Sequence, residues 1–237
     1  MHDFLVGEER LLIYFIIAAT VALACRVLID IPNEVFRKVL HCILLGSLLI
    51  FIFAFPNWYT SAIAAIVFAV IVYPVLIYLE HFKNFSKLTT ERKKGELKTS
   101  LLLVFAMFAI VITICWGWLG DKYLVLASIY AWGFGDAAAA LIGKKFGKHK
   151  INWKFIDGKK SMEGSIAMFI TSLVTVAVIF ACRGGINFAG YIIIPIVTAI
   201  VSTFAELYSK DGMDTVICPI SAMVVVVPLT YLFGGLI

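Results

Sequence analysis

Charge is what this sequence is short of. Asp, Glu, Lys and Arg make up 15% of its 237 residues, against about a quarter in ordinary soluble domains. With 62% of residues hydrophobic and a mean hydropathy of +1.00, a water-facing surface of normal polarity is excluded. Cysteine offers no framework. Cys25, Cys42, Cys115, Cys182 and Cys218 stand singly in or beside apolar stretches, with no C-x-x-C and no histidine at ligand spacing; this argues against a zinc site or a disulfide scaffold and leaves them as small core residues. No repeat or low-complexity tract is present. Nor is there room for a soluble domain, because the longest connectors, about 80–98 and 144–162, are each roughly twenty residues and strongly charged.

What the chain has instead is a succession of apolar runs of about twenty residues, the length that crosses a hydrocarbon core of about 30 Å as a helix. They fall near 10–29, 39–55, 57–79, 99–119, 122–143, 163–182, 190–207 and 216–236. The expectation is an all-α, polytopic integral membrane protein of about eight transmembrane helices forming one catalytic domain, 1–237. The segment before Cys25 carries Asp3, Glu8 and Glu9 where a secretory leader would be basic, so it reads as the first transmembrane helix.

Lysine and arginine set the expected orientation, since short loops rich in them stay in the cytoplasm. Seventeen lie on one side: Arg26, Arg37, Lys38, the group from Lys83 to Lys98, the group from Lys144 to Lys160, and Lys210. Three, Arg10, Lys122 and Arg183, lie on the other. Both termini are then outside and four basic connectors face the cytoplasm. The net charge of +5 is largely this asymmetry, and no nucleic-acid partner is needed to explain it.

Ionisable groups at membrane depth are costly and mark function. Asp136 falls inside the fifth span, Glu206 near the cytoplasmic end of the seventh, and Asp214 just before the eighth; all approach the same face. After Asp136, "AAAALIGKKFGKHK" gives a small-residue helix surface suited to close contact, then Gly143 and Gly147 among Lys144, Lys145 and Lys148, which fits a phosphate cradle. In "DGKKSMEGS", 157–165, Ser161 suits a helix cap, Glu163 falls in the first turn and Gly164 allows close backbone approach. A helix N-terminus beside Lys159 and Lys160 attracts anions. Together these suggest a triphosphate bound through a divalent ion, since Mg2+ takes one or two carboxylates plus phosphate oxygens.

Plainer readings stand beside these. Lysines at a membrane surface follow from topology alone, and for Lys83 to Lys98 that is the better reading. Ser161 and Glu163 fit ordinary helix capping. Asp136 could hydrogen-bond a neighbouring helix or serve as an ion site in a transporter. Arg37 and His41 share a helix face with Lys38 adjacent; they suit phosphate contact or general base work, or a snorkelling interfacial pair. Asp211 reads as a solvated turn residue.

Taken in order, "RKVLH" followed by "G" at 37–46, "GELKTS" at 95–100, "GDAAAALIGKKFGKHKI", "KKSMEGS" and "AELYSKDGMDTVICP" at 205–219 resemble the motifs of the CTP-dependent lipid-alcohol kinases. That family includes dolichol, phytol and fungal diacylglycerol kinases and is related to phosphatidate cytidylyltransferase. The resemblance spans residues 37–219 and implies CTP as co-substrate, Mg2+ and a membrane lipid substrate. It implies Gly135, Asp136, Lys144, Gly147, Lys148, Lys160, Ser161, Glu163, Gly164, Glu206 and Asp214 in the nucleotide and metal site, with Arg37, Lys38 and His41 contributing. Asp136, Glu206 and Asp214 would hold the metal; Asp136, His41 and Lys160 would act in catalysis. Two departures are visible: Thr215 stands where the kinases usually have asparagine, and Ala137 to Ala140 replace the further acids of the cytidylyltransferases. The kinase branch fits better, with a cytidylyltransferase, a transporter or an inert scaffold as alternatives. Oligomeric state is open, a homodimer among the options.

Overall fold

A computed structural model describes residues 2–81, 95–153, 156, 158, 160–209 and 212–235. Of the basic residues assigned to the cytoplasmic side, Lys83, Lys87, Arg92, Lys93, Lys94, Lys154, Lys159 and Lys210 lie outside the described residues, as does Asp211. The described chain is helical: α1 (His2–Leu28), α2 (Asn33–Phe53), α3 (Trp58–Leu79), α4 (Glu96–Val111, running on as π-helical turns over Ile112–Trp118), α5 (Lys122–Phe146), α6 (Met162–Arg183), α7 (Phe188–Tyr208) and α8 (Asp214–Leu232). Among the described residues, eight helices are long and apolar enough to cross a membrane. Helices are what a lipid solvent demands, because each pairs its backbone N–H and C=O groups within itself.

Several helices outrun the apolar runs that announced them. Starts move from about residue 39 to Asn33 and from about 99 to Glu96, because hydropathy marks the hydrocarbon core while the helix continues into the interface. Arg37, Lys38 and His41 are therefore helical residues of α2. The last span stops earlier than expected, at Leu232, where the chain turns through Gly234 at φ +81°.

Outer faces read as lipid contacts. On α6, Met162, Ile166, Ile170, Val174 and Val178 recur every fourth residue, each more than half exposed. Such an aliphatic stripe is untenable in water and ordinary in a bilayer. The protein is an integral membrane protein.

The chain divides into two compact units, Met1–Thr113 and Ile114–Ile237. The first is held by phenylalanines from α1 to α4. Phe15 stacks on Phe68 with centroids 4.9 Å apart, and Phe105 meets Phe68 at 5.2 Å and Phe51 at 5.8 Å edge-on. These are favoured aromatic geometries.

In the second unit α5 packs along α6 and α8, and α7 along the same two, closing a four-helix bundle. Caps set its helix starts: Asp121 Oδ1 accepts the Tyr123 and Leu124 N–H groups at 2.9 and 3.4 Å, and Asn187 accepts that of Gly190 at 2.9 Å. One end of the bundle is tied by Arg183, whose Nε donates to Asp121 Oδ2 at 2.6 Å and whose other nitrogens reach the Gly184 and Gly235 carbonyls. The opposite end, where α5 and α7 finish and α6 and α8 begin, carries Lys160, Ser161, Glu206 and Asp214.

Candidate active site

The site is built on the close approach of α5 and α6. Gly135, Ala139, Gly143 and Gly147 recur every fourth residue and so form one stripe of α5. A Cβ on Gly135 would stand 2.5 Å from Met168 Sδ and 2.6 Å from Ser172 Oγ. One on Gly164 would be 3.0 Å from the Ala139 carbonyl oxygen and 3.4 Å from Gly143 Cα, and one on Gly147 would be 2.1 Å from the Gly143 oxygen and 2.6 Å from Ser161 Oγ. At Gly143 and Gly164 backbone lies against backbone, and close packing leaves no room for a side chain at Gly135 or Gly147 either. Ser172 Oγ donates to the Ala131 carbonyl at 2.6 Å across the same seam.

Asp136 sits on this rigid helix, half-buried between the buried Gly135 and Ala137. Lys144, Lys145, Lys148 and Lys150 follow it, all exposed.

At the start of α6, Ser161 is buried and its Oγ accepts the Gly164 N–H at 3.2 Å, the expected cap. The segment after α5 pairs with the residues just before α6: Ile151 N donates to the Lys160 carbonyl at 3.1 Å, Met162 N to the His149 carbonyl at 2.9 Å, and Lys150 and Ser161 form an antiparallel bridge. Glu163 closes the arrangement. Its carboxylate accepts the backbone N–H groups of Lys148 and His149 at 3.1 and 3.2 Å and pairs with His149 Nδ1 at 2.7 Å. His149 escaped the sequence reading, since a contact across fourteen positions leaves no local periodicity.

Lys160 joins α6 to α7. Its ammonium donates to the Glu206 carbonyl at 2.6 Å and pairs with the Glu206 carboxylate, which is buried. Ser209 Oγ donates to the same carbonyl at 2.8 Å. A cation at a helix C-terminus also meets the negative end of the helix dipole. Asp136 and Asp214 lie within electrostatic range of Glu206, and all three carboxylates, with Lys160, act on the buried Cys218. The acids of α5, α7 and α8 thus converge at one end of the bundle. Further along the same face of α7, Ser202 and Thr198 are fully buried, with no hydrogen-bond partner for either hydroxyl among the described residues; only the i, i+4 spacing to Glu206 marks them in the chain.

Arg37, Lys38 and His41 belong to the first unit. Arg37 pairs with Glu34 one turn away and lies 3.7 Å from Glu96, Lys38 is buried, and His41 is half-buried. Within that unit Lys98 of the "GELKTS" stretch pairs with Glu80 at 2.7 Å.

Among the described residues no three His, Cys, Asp or Glu side chains form a cage able to hold a metal by themselves. The donor set instead suits an ion that arrives with phosphate, which needs only one or two carboxylates from the protein. Converging carboxylates beside a lysine-rich surface can neutralise a polyphosphate and hold its counter-ion.

An integral membrane helix bundle with this constellation falls in a defined class: the sequence profile of the cytidylyltransferase family matches residues 3–234, and the chain belongs to that family. Among characterised proteins it is similar to the phytol kinase of Synechocystis sp., at 27% identity over 216 residues, 86% of this chain and 83% of the relative. Together these matches bear out the resemblance to the CTP-dependent lipid kinases. They support a lipid kinase or a related activity. No solved structure matches the chain.

Proposed function

We propose that this protein transfers the γ-phosphate of CTP to the hydroxyl of a membrane lipid alcohol, such as a polyprenol, a phytol-like alcohol or diacylglycerol, at the cytoplasmic face of the membrane. The observation that carries the reading is the approach of Asp136 and Asp214 to Glu206, which pairs with Lys160, at the lysine-lined end of the bundle. In the reaction the lipid oxygen bonds to the γ-phosphorus, the bond from that phosphorus to the β-phosphate's bridging oxygen breaks, and CDP leaves to water. Transfer of this kind is driven by positioning and charge neutralisation more than by covalent chemistry. Lys144, Lys148 and Lys160 neutralise phosphate oxygens. Asp136, Asp214 and Glu206 would hold Mg2+, which would supply charge screening at the phosphates. Gly135, Ser161, Glu163 and Gly164 shape the α5–α6 seam that carries these groups, with Gly147 at its end. One of the acids takes the hydroxyl proton. One catalytic domain, 1–237, with both termini outside, accommodates the lysine asymmetry.

The family profile favours a second reading, in which a lipid phosphate attacks the α-phosphate of CTP and pyrophosphate leaves. The substitution Asp136→Asn tests the kinase site. It should abolish lipid phosphorylation while the thermal unfolding of the purified protein stays at the wild-type temperature; full activity in that variant would remove the centre of the proposal.

A further inference from the structure

Most of the charge the sequence places at the active end is lysine, and most of those lysines sit on a connector that would, unsupported, sample many positions. Binding a polyphosphate tolerates this poorly, because every contacting group that must be ordered on binding subtracts from affinity. The hydrogen bonds around Glu163 answer the problem. Its carboxylate takes two successive backbone N–H groups, those of Lys148 and His149, together with the His149 ring. Charge-assisted bonds of this type are about twice as strong as neutral ones. Glu163 itself lies in the first turn of a helix whose cap, Ser161, is buried, so its backbone is among the firmer points of the region.

From this anchor the restraint is continuous. Residues 149–151 pair with 160–162 through Met162 N to the His149 carbonyl and Ile151 N to the Lys160 carbonyl. Gly147 abuts Ser161 so closely that no side chain fits between them. Lys160 ends the chain of contacts, its carbonyl accepting from Ile151 and its ammonium held by Glu206.

We propose that Glu163 and His149 are positioning residues: a clasp that locks the segment 147–151 onto the start of α6, so that Lys148, Lys150 and Lys160 meet the phosphates of the nucleotide as one preorganised frame. The inference rests on the lipid-kinase reading and gives Glu163 a task within it that involves no contact with nucleotide or metal. Preorganisation of this kind lowers the ordering cost of binding, so its loss raises KM for the nucleotide more than it lowers kcat.

The test uses full-length protein in detergent, as wild type, Glu163→Ala, Glu163→Gln, His149→Ala and the Glu163→Ala/His149→Ala double variant. Amide hydrogen exchange without nucleotide reads the clasp directly: exchange at residues 148–151 should quicken in Glu163→Ala and remain largely protected in Glu163→Gln, which keeps an acceptor oxygen. Steady-state kinetics with CTP should show KM raised about tenfold in Glu163→Ala with kcat within about threefold. Partial recovery is expected in Glu163→Gln, and no further loss in the double variant, since one clasp is broken only once. Unchanged exchange at 148–151 in Glu163→Ala would overturn the clasp, as would quickened exchange with an unchanged KM. A collapse of kcat at constant KM would make Glu163 a catalytic residue and overturn the positioning role. If the wild type turns over no nucleotide, the lipid-kinase reading itself fails, and the exchange measurement still decides whether the clasp exists.

Discussion

Replacing Lys160 by methionine keeps the length and apolar stem of the side chain and removes its ammonium. In the folded protein that ammonium answers the carboxylate and the carbonyl of Glu206. The Glu206 side chain is 9% exposed and that of Lys160 22%, so the variant leaves a carboxylate buried without its counter-charge. Removing one partner of a buried pair costs about 3–5 kcal/mol; partial exposure of the lysine places this case near about 3 kcal/mol. For a chain of this size, each 1 kcal/mol moves the unfolding midpoint by about 2–4 °C, so Lys160→Met should unfold roughly 6–12 °C below wild type in detergent. Lys160→Met/Glu206→Gln removes the stranded charge as well and should recover to within about 1 kcal/mol of wild type. Thermal unfolding followed by circular dichroism measures all three proteins. An unshifted midpoint in Lys160→Met would refute the reasoning. So would a double variant no more stable than the single, because the loss would then come from something other than the buried pair.

Three further outcomes follow from how the helices of the bundle pack. Gly164→Ala puts a methyl 3.0 Å from the Ala139 carbonyl oxygen, a backbone atom that yields only if α5 and α6 separate; a loss of about 1–3 kcal/mol is expected, and a stability equal to wild type would mean that the helices are not in contact there. Ser172→Ala breaks the 2.6 Å bond to the Ala131 carbonyl and should lower stability by about 0.6 kcal/mol. Ser202→Ala removes a buried hydroxyl that bonds to nothing among the described residues and should be neutral or slightly stabilising. Comparing the two variants in one denaturation series checks both, and a larger loss for Ser202→Ala would reverse the assignment.

How much of this was legible in the sequence depends on which physics each feature obeys. The eight helices were legible because a lipid solvent admits few alternatives to a run of about twenty apolar residues. Their ends were not, since Asn33 and Glu96 extend helices into the interface, where hydropathy is silent. Asp136, Glu206 and Asp214 stood out because carboxylates at membrane depth are rarely accidental. The pairing of Glu206 with Lys160 did not, as it joins residues 46 positions apart and exists only once the bundle is packed. Gly143 and Gly147 show the reverse case. Their spacing of four was in plain view, but the packing it serves, against Ser161 and Gly164, joins residues far apart in the chain. His149 carried no signal until Glu163 was seen to reach back to it.

The measurement that bears most directly on the proposed reaction follows where each phosphate of CTP goes. Purified protein would be incubated with Mg2+, a panel of lipid alcohols and phosphatidate, and CTP labelled at either the γ- or the α-phosphate, with ATP in parallel. The account predicts label from the γ-position in a lipid monophosphate and CDP in solution. Label from the α-position in a CDP-lipid, with pyrophosphate released, would contradict it.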